Sequence, residues 1–336
     1  MDSARLHQLA EIYAGLRIAV LGDFCLDRYL EIDPEKKETS IETGLPVLNV
    51  VNVRAQPGGA GTILNNLSAL GVGTIFPIGF AGDDGEGFEL CRALEARRGV
   101  RLDHFIRTAD RRTFTYCKPL IVAPGKSPVE LNRLDSKNWI PTPAALQDLL
   151  LKHFREVAET LDAVIILDQV DLPETGVVTR KLIQHLLTPA TRDLLIMADS
   201  RRGLRDFPPV TFKMNAAELS SLAGVGEGLT LDQIKETAAT LARKNRNSVF
   251  VTLAERGMVG ATAQGEVDHV PAVPIRGEID VVGAGDAVSA NLAASLAAGA
   301  TVTEALEIAN AAASVVIHKL GTTGTANLEE ISNLLS

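Results

Sequence analysis

Only three cysteines, Cys25, Cys91 and Cys117, occur in the chain, and no two of them form a CxxC pair. So sparse and odd a set excludes a disulfide framework, fits a reducing compartment, and leaves each thiol as a small core residue. No spacing of Cys or His suits a metal centre. Aromatic residues make up only 4% of the sequence, so Ala, Leu and Val must carry the core. No uninterrupted apolar run reaches membrane-spanning length, the Ala-rich 292–300 stretch being bounded by Asn291 and Thr301. Residues 1–16 hold Asp2, Arg5 and Glu11 and lack the apolar segment of a signal peptide. A soluble, cytoplasmic protein with no membrane partner is therefore expected. Basic residues (33) are outnumbered by acidic ones (42), and a net charge of −9 repels nucleic-acid backbones. The missing motifs exclude further classes. There is no GxxxxGK[ST] loop, no GxSxG elbow, and the first apolar strand runs into Gly22-Asp23-Phe24-Cys25 instead of GxGxxG.

What is present is a long alternation of apolar runs and amphipathic stretches. The chain has 336 residues, 46% of them hydrophobic, enough for a large core in one α/β domain or two smaller ones. A short amphipathic helix over 3–14 precedes the strand-like run Arg17–Asp23, which ends in Gly22-Asp23, with Asp27 close behind. After residue 139 the alternation is regular. Helices at 143–160, 174–187 and 231–244 precede strands ending at Asp168, Asp199 and Leu253, and 211–215 forms a further strand ending at Asn215. Acids at strand ends in a strand–helix repeat predict a doubly wound, mostly parallel sheet with helices on both faces. The β-branched 46–53 stretch and the alternating 113–122 stretch fall outside that rhythm. They predict a small β lid over about 28–56 and 103–122, inserted in a single domain spanning 1–336.

Three features carry candidate chemistry. Gly283-Ala284-Gly285-Asp286 follows Asp280-Val281-Val282 and opens an Ala/Leu-rich helical pattern. A helix start presents unpaired N–H groups and a positive dipole end to an anion, and glycines let the backbone approach it. A carboxylate beside that anion can take a proton from an attacking hydroxyl; the alternative is a Gly-rich turn with a capping Asp. Asn215 and Glu218, three apart at another helix start, offer hard oxygens to Mg²⁺ through water, or form a capping box. Gly58-Gly59, with Asp23 and Asp27, could approach a polyhydroxyl ligand, or could be a tight packing turn.

These stretches together, in this order, resemble the ribokinase-like (PfkB) carbohydrate kinase family. The resemblance rests on Gly22-Asp23 with Leu26-Asp27-Arg28-Tyr29, Pro57-Gly58-Gly59-Ala60, Gly82-Asp83-Asp84, Lys213-Met214-Asn215 with Glu218, Asp280–Ala287, and the 309–322 stretch. Within the family the nearest likeness is to the branch acting on D-glycero-D-manno-heptose 7-phosphate, through Arg133-Leu134-Asp135 and Glu255-Arg256-Gly257-Met258 as well. No HxGH nucleotidyltransferase signature is present, so the likeness is to the kinase half of that often fused protein. The resemblance implies a ribokinase-like fold and transfer of the γ-phosphoryl group of ATP, with Mg²⁺, to a hydroxyl of a sugar or sugar phosphate. Asp286 would be the base and Gly283, Ala284 and Gly285 the anion hole. Asp23, Asp27, Gly58, Gly59, Thr62, Asn66 and Arg133 would bind the substrate. Asn215, Thr252, Glu255, Gly257, Asn310 and Gly321 would bind the nucleotide, and Asn215 and Glu218 the metal. Pairing of lids implies a homodimer. Departures stand at Thr62, where the branch has Asn, at Val282, where the family often has Thr, and at 169–173. A nucleoside kinase of the same fold, or a non-catalytic sugar- or nucleotide-sensing relative, is the alternative.

Overall fold

A computed structural model describes residues 1–335. Its strands, in chain order, are β1 (Arg17–Gly22), β2 (Phe24–Thr39), β3 (Pro46–Gly59), β4 (Thr74–Gly82), β5 (Phe105–Thr108), β6 (Phe114–Ile121), β7 (Val129–Glu130), β8 (Leu134–Ser136), β9 (Ala163–Asp168), β10 (Leu195–Ser200), β11 (Thr211–Asn215), β12 (Val249–Thr252), β13 (Met258–Ala261) and β14 (Val267–Val270). Nine of them form one sheet in the order β14-β13-β12-β11-β10-β9-β1-β4-β5. Its ladders are parallel from β5 to β12, and β13 and β14 add an antiparallel edge.

The sheet is buried on both faces because successive residues of a strand point to opposite sides. In β1, Ile18 and Val20 join one apolar cluster and Ala19 and Leu21 the other. The first cluster takes in the helices Ser3–Tyr13, Ala60–Leu70, Ala284–Ala297 and Val302–Ile317; the second takes in Ala144–Ala158 and Leu231–Asn245. This is the expected ribokinase-like architecture of helix, sheet and helix layers. No helix among the described residues is long and apolar enough to cross a membrane.

A separate sheet, β3-β2-β6-β7 with β8 also paired to β6, occupies the segments expected to form a lid. Its boundaries differ from those expected. β5 lies within the anticipated 103–122 lid segment but pairs in parallel with β4 at the edge of the main sheet. Conversely, β7 and β8 extend the lid to residue 136. The anticipated 174–187 helix is confined to Arg180–Gln184. Glu174 has φ 63°, and a Cβ on Gly176 would lie 2.4 Å from an Asp23 oxygen, so this segment wraps a carboxylate and cannot coil until Thr179 caps the helix.

Candidate active site

The Gly-Ala-Gly-Asp turn lies beyond the carboxyl ends of the parallel strands. Asp280 accepts the Val282 N–H at 3.0 Å, and Gly283 follows at φ 83°, which turns the chain into the helix Ala284–Ala297. A Cβ on Gly283 would lie 2.5 Å from Thr323 Cγ2, so both conformation and space require glycine here. The Ala284 N–H is spent on Val281 O at 3.2 Å. Among the described residues no partner takes the N–H groups of Gly285 and Asp286, and no side chain caps the helix. Of the residues expected to form an anion hole, Ala284 has its N–H occupied, and the N–H groups of Gly285 and Asp286 stand free at the helix start.

Two hollows meet at this turn. One, of about 410 Å³, is lined by Asp27, Gly59, Thr62, Arg133, Gly285, Asp286 and other mostly charged side chains. The other, of about 630 Å³, is largely apolar, with Val273, Ile275, Ile279 and Ile317 beside Thr252, Glu255, Gly257 and Asn310. Gly285 lines both. A polar cleft and an apolar pocket joined at an uncapped helix start suit two ligands that exchange an anionic group between them.

Asp286 opens on the polar cleft. Burial, then the nearby Asp199 carboxylate, pushes its pKa up to about 7 against the pull of Lys213. The helix dipole favours the ionised form but is outweighed. A carboxyl titrating near neutrality is matched to general-base work. Lys213 Nζ donates to Asp199 Oδ2 at 2.7 Å, and Ser289 Oγ donates to the same oxygen at 3.1 Å. Burial pushes the Lys213 ammonium down, but Asp199, Asp286 and Glu218 together hold it above the usual lysine value.

The profile of the pfkB family of carbohydrate kinases matches residues 17–329. The chain belongs to the pfkB family. Membership makes this pfkB protein a carbohydrate kinase by class, a phosphotransferase whose acceptor is an alcohol. It is 30% identical over 324 residues to the "Bifunctional protein HldE" of Gluconacetobacter diazotrophicus, covering 95% of this chain and 63% of that protein. It is 32% identical over 343 residues to that of Hyphomonas neptunium, covering 99% and 66%. The chain thus spans slightly less than two thirds of the length of these relatives. In fold it is similar to ribokinase from Arabidopsis thaliana, solved with ribose and ATP (TM-score 0.68, 19% identity, 96% and 99% of the two chains), and to phosphofructokinase-2 from Escherichia coli (TM-score 0.73, 18% identity, 95% and 98%).

Several anticipated site residues of this pfkB chain make structural contacts. Asp23 does not face the cleft. Its carboxylate accepts N–H bonds from Gln169, Val170 and Val177 at 2.6–3.1 Å, and burial pushes its pKa up to about 6. Gly58 makes room for Asp27, since a Cβ there would lie 2.5 Å from Asp27 Oδ2. Asn66 is fully buried, donating to Thr62 O and accepting from Ala326 N–H. Gly321 does not line the apolar pocket; its carbonyl accepts from Arg54 of β3 at 3.5 Å. Asn215 and Glu218 form the capping box, each carboxyl or amide oxygen taking the other residue's N–H. That occupies the Asn215 oxygen and leaves Glu218 Oε1 as the one oxygen of the pair open to a metal.

Others line the polar cleft. Asp27 lines the cleft, held up by burial against the pull of Lys118 and Arg133. Thr62 lines it with a buried hydroxyl that lacks any partner among the described residues. Arg133 lines it too, paired through two bonds to Asp135 at 2.7 and 2.8 Å and stacked 5.0 Å above the Tyr116 ring. Lys118, Lys137, Arg201 and Lys213 also line the cleft, and none of them is among the site residues expected from sequence. A lysine or arginine near a strand end reads as a solvated charge until the fold shows what it faces. Among the described residues no group of three or more His, Cys, Asp or Glu gathers to hold a metal. That donor set fits Mg²⁺ brought in on phosphates and held through water by one carboxylate, as this ion commonly is.

Proposed function

We propose that the chain transfers the γ-phosphoryl group of ATP to a hydroxyl of a phosphorylated sugar, with a heptose 7-phosphate as the first acceptor to test. The observation that carries this reading is the position of Asp286: its carboxyl, poised near pH 7, opens on a polar cleft at the helix start that this cleft shares with an apolar pocket. Asp286 takes the proton from the attacking hydroxyl, whose oxygen bonds to phosphorus as the bond to the leaving diphosphate breaks. The N–H groups of Gly285 and Asp286 stabilise the charge on the phosphoryl group. Mg²⁺ on the nucleotide, held through water by Glu218, would offset the charge of the phosphates.

The acceptor is proposed to be both polyhydroxylic and anionic. The Asp27 carboxylate, on the lining of the cleft, suits sugar hydroxyls. Arg133, Lys137 and Arg201 bring positive charge to the cleft and suit a second phosphate, Arg133 through its Nη1, since Nε and Nη2 are held by Asp135. The nucleotide base is assigned to the apolar pocket, beside Asn310, whose amide donates to Pro271 O at 2.6 Å. The partner is proposed to be a second copy of the chain. β3 is an edge of the lid sheet and leaves Leu48, Val50, Val51 and Val53 at least 42% exposed, a liability for an unpaired strand. ADP release across heptose 7-phosphate, hexoses, pentoses and nucleosides tests the reading. Preference for a phosphorylated sugar supports it, and preference for a nucleoside overturns it in favour of a nucleoside kinase.

A further inference from the structure

Lys213 is an unusual residue to find in a buried strand. It stands between Phe212 and Met214 in β11 and is 6% exposed. Desolvating an ammonium is costly, and a buried ion pair with one carboxylate seldom repays that cost in stability. The pair with Asp199 uses one of three ammonium donors. The ammonium also lines the acceptor cleft, and a Cβ built on Gly285 would lie 3.1 Å from Nζ. An anion resting on the free N–H groups of Gly285 and Asp286 would therefore meet Lys213 as well. Asp199 fixes the lysine, and Ser289, one turn along the same helix from Gly285, fixes Asp199.

We infer that Lys213 is a catalytic residue that contacts the transferring phosphoryl group and stabilises its charge together with the helix start, an inference that rests on the kinase reading above. In the transfer, the acceptor oxygen–phosphorus bond forms, the bond from phosphorus to the ADP oxygen breaks with its electron pair going to ADP, and the acceptor proton goes to Asp286. Lys213 neither gives nor takes a proton. Asp199 is a positioning residue that acts through Lys213. The bland alternative is that Lys213 only neutralises Asp199.

The two are separated by steady-state ADP release from wild type, Lys213→Met, Asp199→Asn and the double variant, with ATP, Mg²⁺ and the acceptor giving highest wild-type turnover. Losing one preorganised donor to the phosphoryl group predicts a fall in kcat of about 10²- to 10³-fold for Lys213→Met, with KM for ATP moved by less than about threefold. The double variant is expected to stay within about threefold of Lys213→Met. The acid limb of kcat should also move to higher pH in Lys213→Met. Asp286 then loses the pull of Lys213 while still facing Asp199, Asp27, Cys25 and Arg201. Recovery of the double variant to near wild-type kcat shows that Lys213 merely neutralises Asp199 and overturns the inference, as does a raised KM at unchanged kcat. Should Lys213→Met unfold because Asp199 is left unpaired, the double variant, which removes both charges, decides alone. A wild type that releases no ADP with any acceptor overturns the kinase reading itself, and this inference with it.

Discussion

Replacing Asp286 by Asn should make the folded chain more stable, and more so as the pH rises. The folded-state carboxyl has its pKa pushed from 3.8 to about 7, chiefly by burial and by Asp199. Between those values the folded chain binds a proton that the unfolded chain has released, so stability falls as pH rises through the window and is lowest above about pH 7. The full shift corresponds to a ceiling of about 4 kcal/mol. Asp286 is partly open to cleft water, which screens it, so about 2 kcal/mol is the working expectation. Asn is isosteric and uncharged and avoids this cost. At about pH 8 the variant should melt several degrees above wild type, taking about 2–4 °C per kcal/mol for a chain of this order of size. At about pH 5, where wild-type Asp286 is mostly protonated when folded, the gap should shrink markedly. Thermal melts of both proteins at the two pH values measure this. A variant that melts no higher at pH 8, or by the same margin at both, would refute the claim that Asp286 is held near neutrality by its surroundings.

Gly283→Ala should abolish turnover and lower stability by about 1–3 kcal/mol, since φ 83° and the 2.5 Å approach to Thr323 Cγ2 leave no place for a methyl group; a melt with an activity assay checks both. Asp23→Asn should cost about 1–3 kcal/mol, because an amide cannot accept all three N–H bonds from Gln169, Val170 and Val177. Activity should fall with it, as that loop brings Gln169 and Asp171 to the cleft. Arg201→Ala should raise KM for a phosphorylated acceptor by about tenfold or more while changing turnover of its unphosphorylated analogue little. Leu48→Lys with Val50→Lys should convert a dimer to monomer in sedimentation at micromolar concentration, and a wild type that is monomeric there would remove the lid-pairing proposal.

The elements that announce themselves by local chemistry were legible in the sequence. The helix start after Gly283 could be placed because a glycine turn there runs into an Ala/Leu-rich stretch, and the parallel strands because their ends carry acids. What escaped depends on neighbours that lie far apart in sequence. Lys213 and Asp199 stand one step beyond the ladder pair Ala198–Phe212, so their ion pair follows from strand register, which no local pattern reveals. Asp23 sits at a strand end, where a ligand is commonly met, yet its oxygens are taken by a loop some 150 residues away along the chain. β5 falls in the segment expected for the lid because four residues cannot show which sheet they join; parallel pairing with β4 decides it. Asn215 and Glu218 fit a metal and a cap equally well by spacing, and only the bonds they make show that the cap takes the Asn215 oxygen.

The proposed role of Asp286 is tested most directly by ADP release from wild type and Asp286→Asn at saturating ATP, Mg²⁺ and heptose 7-phosphate, with thermal stabilisation by ATP measured on the same samples. If Asp286 is the base, wild type turns over and the variant is slower by about 10²- to 10⁴-fold while ATP stabilises both alike. Turnover of the variant within a few-fold of wild type would contradict it.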